Sequence, residues 1–345
     1  MTTTTEHAPP MADQATSLLS HAAGYSSSRT ITIGLRSGLI ETLAEHADGL
    51  TPEELAGHAG FDGFSVSVWC RAALGAGLCR RDGDRFRLAP HMSTLLLDQH
   101  SPAYVGGLFL VFEQPELFDR FEEVLPSGER TWWDRCSPEW IAGVARTGTP
   151  FYTRLVPDGL AQVPGLDDRL QAGCRIVDTA CGAGTGLVRL AQHYPACEIV
   201  GVDGDAHTID RAEKHITEAG VADRVSLRVS PLEEMRLDEP ATLVINNISM
   251  HECRVIDRVT RNIHDALKPG GWFVISDFPF PDTDEGLQSV PGRLMAGIQF
   301  FEAQIDGQLL PRRAYDALLT EHGFTDLGHA ELTPVHALTW GRRSG

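Results

Sequence analysis

The chain has neither a disulfide framework nor a cysteine metal motif. Its seven cysteines, at 70, 79, 136, 174, 181, 197 and 253, form no C-x-x-C and leave an odd one over. Such scattered usage belongs to a reducing, cytoplasmic compartment. Apolar runs are short: none approaches 18 residues, so no membrane-spanning helix is expected. Residues Met1 to Thr16 are polar and hold no apolar h-region, so no secretory signal is expected. Positive charge is scarce as well. Lys and Arg total 29 against 47 Asp and Glu, a net charge of −18, which opposes nonspecific attachment to nucleic acid or an anionic membrane. No H-x-x-x-H or carboxylate-rich cluster occurs, so no metal is expected, although His251 and Glu252 with a distant acid could assemble one on folding. What is present is ample: 345 residues, 42% apolar, can build well-formed cores for two domains.

One stretch carries most of the information. Ile176-Val177-Asp178-Thr179-Ala180-Cys181-Gly182-Ala183-Gly184-Thr185-Gly186 reads as a short apolar strand, a glycine-rich turn and the start of a helix. Glu198-Ile199-Val200-Gly201-Val202-Asp203 then reads as a second strand ending in an acid, about 20 residues after the turn, as in nucleoside-binding βαβ units. Glycines let the backbone approach a ligand where a Cβ would collide. The acid at the strand tip can accept hydrogen bonds from both hydroxyls of a ribose. The run D-x-A-x-G-x-G-x-G differs from the dinucleotide pattern G-x-G-x-x-G. It places Asp178 before the turn, where it would repel a pyrophosphate but suits an ammonium. A glycine-rich turn in an ordinary α/β protein and a dinucleotide site are the competing readings.

This motif resembles that of the class I S-adenosylmethionine (SAM)-dependent methyltransferases, with Ala180 where glycine is usual. Later segments follow that family's order. Val225–Val229 reads as a third strand after the Gly220–Arg224 loop, and Thr242–Ile248 as a fourth. Leu267-Lys268-Pro269-Gly270-Gly271 leads into a fifth, Trp272–Asp277, and a final pair of strands runs toward Trp340. The resemblance implies an α/β, Rossmann-like, seven-stranded mixed sheet. It also implies SAM as cofactor, with Asp178, Ala180, Gly182, Gly184, Asp203, Gly204, Ser230 and Asn246 as candidate binding residues. An acid often follows the third strand in this family; here Ser230-Pro231 stands there, with Glu233 and Glu234 as substitutes.

Ahead of this domain, residues 13–100 read as a separate helical unit, following an expected disordered tail at 1–12. Ala15 to Ala47 shows apolar residues at helical spacing, including Ile31, Leu35, Leu39, Ile40 and Leu43. Thr51-Pro52-Glu53-Glu54 is a helix start. A second helix, Phe64 to Leu74, and a hairpin through Asp82-Gly83-Asp84 complete a winged helix-turn-helix. Such a unit either reads DNA or builds a dimer. The second helix carries one basic side chain, Arg71, whereas DNA readers cluster Lys and Arg there. Arg80, Arg81, Arg85 and Arg87 of the hairpin are partly offset by Asp82 and Asp84. A homodimer that binds no nucleic acid is therefore expected. The order of the two domains resembles small-molecule O-methyltransferases of plants and bacterial natural-product pathways. Residues 101–170 read as an aromatic-rich helical connector, in which Trp132, Trp133, Phe151 and Tyr152 either pack helices or line a substrate chamber.

A base is expected beyond the fourth strand, where Ser249-Met250-His251-Glu252-Cys253 stands. A neutral imidazole can take a proton near pH 7. The resemblance makes His251 the counterpart of the histidine in the family's His-x-Trp pattern, with Cys253 at the tryptophan position. The other reading of His251 is a cap on the following helix. Glu302, on an expected helix over residues 292–304, is the candidate acid that orients His251, and Asp277 at a strand end could also face the pocket. The expected activity is methyl transfer from SAM to a hydroxyl of a small aromatic or polyketide-like acceptor. Carbon or nitrogen methylation, a non-methylating SAM enzyme and a ligand-sensing regulator are the alternatives.

Overall fold

The computed structural model describes residues 9–131 and 135–345. The threonine-rich head, Thr2 to Thr5, and the tryptophans Trp132 and Trp133 lie outside the described residues. The chain divides into two compact units between Glu113 and Gln114. The stretch expected as a connector, 101–170, is thus shared: its first residues belong to the N-terminal unit and the rest to the C-terminal one.

The N-terminal unit opens with α1 (Met11–Ser37), which begins inside the expected tail, and α2 (Leu39–Glu45). Gly38, at φ +73°, supplies the left-handed turn between them. Then come α3 (Pro52–Ala59), α4 (Gly63–Gly75), the hairpin strands β1 (Cys79–Asp82) and β2 (Arg85–Leu88), α5 (Met92–Leu96) and α6 (Gly106–Val111). The start of α3 is a capping box: Thr51 Oγ1 accepts from Glu54 N while Glu54 Oε2 accepts from Thr51 N. Leu43, Leu55, Val66, Trp69, Cys70 and Phe86 form the core of this unit. Phe64, Val68 and Leu74 of α4, and Phe61 just before it, face solvent.

The C-terminal unit continues through α7 (Asp119–Val124), α8 (Pro138–Arg154) and α9 (Leu166–Gln171). Strands and helices then alternate: β3 (Arg175–Thr179), α10 (Thr185–His193), β4 (Glu198–Asp203), α11 (Ala206–Glu218), β5 (Val225–Val229), β6 (Ala241–Asn247), α12 (Ile256–Ala266) and β7 (Leu267–Asp277). After α13 (Asp284–Gln288), α14 (Val290–Glu302) and α15 (Arg312–Glu321), β8 (Phe324–Thr333) and β9 (His336–Arg343) close the sheet. Its seven strands run in the order β5-β4-β3-β6-β7-β9-β8. β3 to β7 are mutually parallel, and β9 is antiparallel to both β7 and β8. This is the mixed α/β sheet that the sequence led us to expect.

Both faces of the sheet are covered, which is why the central strands are nearly continuous in Val, Ile and Leu. One face packs Ile176, Ile245, Val274 and Leu338 against Leu187 and Leu190 of α10 and Ala212 of α11. The other packs Val177, Val244, Phe273 and Ile275 against Val259 and Ile263 of α12 and Leu319 of α15. Strand order reverses between β3 and β6, so the crevice beyond their C-terminal ends is the topological switch point, where open α/β sheets bind ligands. The end of α8 and the turn after it are anchored to α10: Arg189 Nη2 donates to Thr153 O at 3.3 Å and its Nε to Val156 O at 2.7 Å.

Candidate active site

The turn leaving β3 bends through three left-handed residues, Ala180 (φ +60°), Gly182 (φ +55°) and Gly184 (φ +83°). The two glycines do different work. A Cβ at Gly182 would meet nothing within 4 Å, so the space over this residue is open. A Cβ at Gly184 would lie 3.1 Å from Ala212 Cβ. The close approach at Gly184 is thus between the turn and α11. A third glycine, Gly186, makes room for an aromatic ring: a Cβ there would sit 2.0 Å from Tyr152 Cε1.

That ring reaches the acid before the turn. Tyr152 OH donates to Asp178 Oδ2 at 2.9 Å, while Asp178 Oδ1 is buried without a partner. Burial pushes the Asp178 carboxyl up to about 7, against the pull of the Tyr152 hydrogen bond and helped by nearby Asp203. A cation at Oδ1 would complete this group. At the tip of β4, Asp203 Oδ2 accepts from Gly182 N and Oδ1 accepts from Asp205 N, each at 3.0 Å. Burial nevertheless raises its pKa, those amides opposing the rise. Gly204 is exposed and Ser230 half-buried; Ser230 N donates to the Asp203 carbonyl at 2.8 Å. Of the two substitute acids, Glu233 is half-buried and Glu234 exposed. Asn246 is buried but turned to the other side of the sheet, donating from Nδ2 to Thr179 Oγ1 at 3.1 Å.

The second constellation gathers at β6 and β7. His251 lies on the single turn Met250–Glu252, with its ring buried. Its Nδ1 stands 2.8 Å from Asp277 Oδ2, and its Nε2 faces Glu302 Oε2 at 3.6 Å. Asp277 is itself held, accepting from Tyr315 OH at 2.6 Å and Phe278 N at 2.8 Å. His251 Nδ1 therefore donates to Asp277, and Glu302, the acid expected to orient the ring, stands at its opposite nitrogen. Glu302 Oε2 is buried without a hydrogen-bond partner. Burial disfavours the His251 imidazolium, but the charges of Asp277 and Glu302 outweigh it and hold the ring well above the ordinary histidine range. His251, Glu252 and Glu302 also offer ligand atoms within 4.8 Å of one another, so these three could hold a cation. Cys253 adds a half-buried thiol bonded to Ser249 O.

Sequence reasoning missed Asn247 and undervalued Tyr152. Asn247 is the next residue after a chosen candidate and faces the opposite side of the sheet. Tyr152 had been grouped with possible chamber residues; its neighbour Phe151 packs on His336 and Phe278, at 4.3 and 5.0 Å between ring centroids.

A family model described as a methyltransferase domain matches residues 170–312. The chain is 30% identical over 201 residues to trans-aconitate 2-methyltransferase of Methylobacterium nodulans, covering 55% of this chain and 70% of that protein. It is 27% identical over 179 residues to a ubiquinone/menaquinone biosynthesis C-methyltransferase of Geobacter sp. strain M21, covering 48% and 76%. In fold it matches the mitomycin 7-O-methyltransferase structure with a TM-score of 0.73 at 17% identity, over 96% of this chain and 98% of that one. The chain belongs to the class I SAM-dependent methyltransferases, and SAM is its cofactor.

The open space over Gly182 suggests a direct check. Gly182→Ala and Gly182→Leu share the cost of a left-handed Cβ, about 1–2 kcal/mol. Only leucine fills the space above the turn. Calorimetry with S-adenosylhomocysteine (SAH) should find the leucine variant at least about tenfold weaker than the alanine variant. Equal affinities would remove the turn from the cofactor site.

Proposed function

We propose that the protein transfers the SAM methyl group to a hydroxyl of a small aromatic or polyketide-like acceptor. The observation that carries this reading is the buried His251 clamped by Asp277 and Glu302 beside the switch point of the sheet. SAM, when bound, supplies an electrophilic methyl on a sulfonium. Asp178 Oδ1, buried and lacking a partner, suits the methionine ammonium; Asp203 suits the ribose hydroxyls; the backbone of Ala180, Gly182 and Gly184 makes the floor. Gly204 and Ser230 flank the Asp203 tip, and Asn246 underlies the turn through Thr179.

Displacement at a methyl needs alignment above all, which can supply about 7–11 kcal/mol. A hydroxyl acceptor must in addition lose its proton, and a positioned base contributes about 10²–10⁴-fold. His251 with Glu302 forms that proton-accepting unit, and Asp277 fixes the ring through Nδ1. Carbon methylation is the second reading, supported by the C-methyltransferase relative. An activated carbon acceptor has less need of a buried base, so His251→Ala should spare it.

The N-terminal unit fits a winged-helix dimerisation domain. The α4 face that would read DNA exposes Phe64, Val68 and Leu74 rather than a row of bases, and Arg85 of the hairpin is paired with Glu54. An apolar helix face of this kind suits a second copy of the chain. We assign the protein to the cytoplasm from its seven scattered cysteines, which form no C-x-x-C.

Two tests follow. His251→Ala should lower turnover on a neutral hydroxyl acceptor by about 10²–10⁴-fold and leave SAH affinity unchanged. The wild-type rising pH limb should lie above the usual histidine value of about 6.5, because the flanking carboxylates stabilise the protonated ring. Glu302→Gln removes one of those charges, so its limb should move to lower pH. Near-normal turnover in His251→Ala would end the general-base reading. Light scattering should report a dimer, and promoter DNA should not be retarded at physiological salt. A monomer, or a salt-resistant shift, counts against the N-terminal assignment.

A further inference from the structure

A chain of buried polar groups ends at Asn247, the last residue of β6. Arg154 Nε donates to His336 Nδ1 at 3.0 Å. His336 Nε2 lies 2.8 Å from Ser276 Oγ, and Ser276 Oγ donates to Asn247 Oδ1 at 2.7 Å. Ser276 and His336 are fully buried and Asn247 is 2% exposed. The far end of the chain, Asn247 Nδ2, is buried with no hydrogen-bond partner.

The direction of each bond is forced. An arginine can only donate, so His336 Nδ1 must accept and Nε2 must carry the ring proton. Burial and the Arg154 charge also hold His336 well below the ordinary range, keeping it neutral. Nε2 then donates to Ser276, and the hydroxyl passes its own proton to Asn247 Oδ1. The carboxamide cannot turn over without breaking this sequence. It presents its NH2 outward as a fixed donor.

What it faces follows from the sheet register. Asp178 of β3 pairs with Ile245 of β6, and Asn247 lies two residues further on, so both side chains leave the same face of the sheet. At adjacent strand tips, that face holds a carboxylate oxygen lacking a donor and an amide nitrogen lacking an acceptor. The pair matches the two ends of an α-amino acid. Buried polar atoms that stay unpaired cost free energy, and a ligand that pairs both removes the cost.

We infer that Asn247 Nδ2 donates to the carboxylate of the cofactor's methionine moiety, while Asp178 takes its ammonium. The inference rests on the assignment of the SAM site to this turn. Asn247 is here a binding residue, and Ser276, His336 and Arg154 are positioning residues that fix its orientation.

Asn247→Asp tests it with a small change, because Oδ1 remains an acceptor for Ser276 and only the donor becomes a carboxylate oxygen. Calorimetry would use SAH and 5′-methylthioadenosine, which has the nucleoside but no amino-acid head. We expect SAH affinity to fall roughly 10–100-fold, the worth of a hydrogen bond to a charged group, with 5′-methylthioadenosine unaffected. Ser276→Ala frees the carboxamide to rotate and should give a smaller loss with the same selectivity; it carries the test if Asn247→Asp fails to fold. Wild-type SAH affinity in folded Asn247→Asp, or an equal loss for both ligands, overturns the inference. So does unchanged SAH binding with a raised acceptor KM, which would aim the amide at the acceptor. A wild-type protein that binds neither ligand overturns the assignment of the cofactor site and this inference with it.

Discussion

His251 carries its ring between Asp277 and Glu302, so removing the imidazole would leave two buried carboxyls facing each other without it, a cost of about 3–5 kcal/mol where buried pairs are broken. The surrounding structure is arranged around that constraint. Asp277 would be unaffordable at the end of β7 without the Tyr315 hydroxyl and the Phe278 amide, so α15 and the chain after the strand are tied to the same group. Glu302 ends α14, and Gly307 N donates back to the Glu302 carbonyl at 2.7 Å, turning the chain beside the imidazole. Gln308 N then donates to the carbonyl of His251 itself. Three separate segments are fixed by one ring.

The period-two geometry of the strands sorts two chemistries onto two faces. On β6, Asn246 turns to the face of Thr179 while Asn247 turns to that of Asp178. On β7, Asp277 meets His251 while Ser276 meets Asn247 and His336. Neighbouring residues at the same strand tips thus serve a proton-accepting group on one side and a hydrogen-bonded relay on the other. The two polar clusters share backbone but no side chain.

Much of this could be read in the chain, and what could not has identifiable causes. The glycine turn, the acid at the tip of β4 and the succession of strands along the chain were legible because they are local: short runs of Val and Ile, fixed spacings and glycines with positive φ. His251 was legible from its place after β6. The side of the sheet that a residue faces was not, since a one-residue shift in reading the strand exchanges Asn246 for Asn247. Tyr152 was obscure for a different reason. Its partner Asp178 lies 26 positions away, across α9 and the start of β3, and no periodic pattern links them. Likewise, the sequence offers Glu302 as the partner of His251 and Asp277 only as a pocket residue, and only the folded chain brings each acid to its own ring nitrogen.

The two acids beside His251 alter what kind of base the site offers. An isolated imidazole has a pKa of about 6.5, whereas the charges of Asp277 and Glu302 hold this ring well above that range, against the effect of burial. The 3.6 Å between Nε2 and Glu302 Oε2 exceeds a normal hydrogen bond, and the Glu302 oxygen has no other donor. A hydroxyl entering there would supply the missing donor to Glu302. The proton-accepting position then lies between His251 Nε2 and Glu302 Oε2. Asp277, which also accepts from Tyr315 and the backbone, keeps the ring in place through Nδ1.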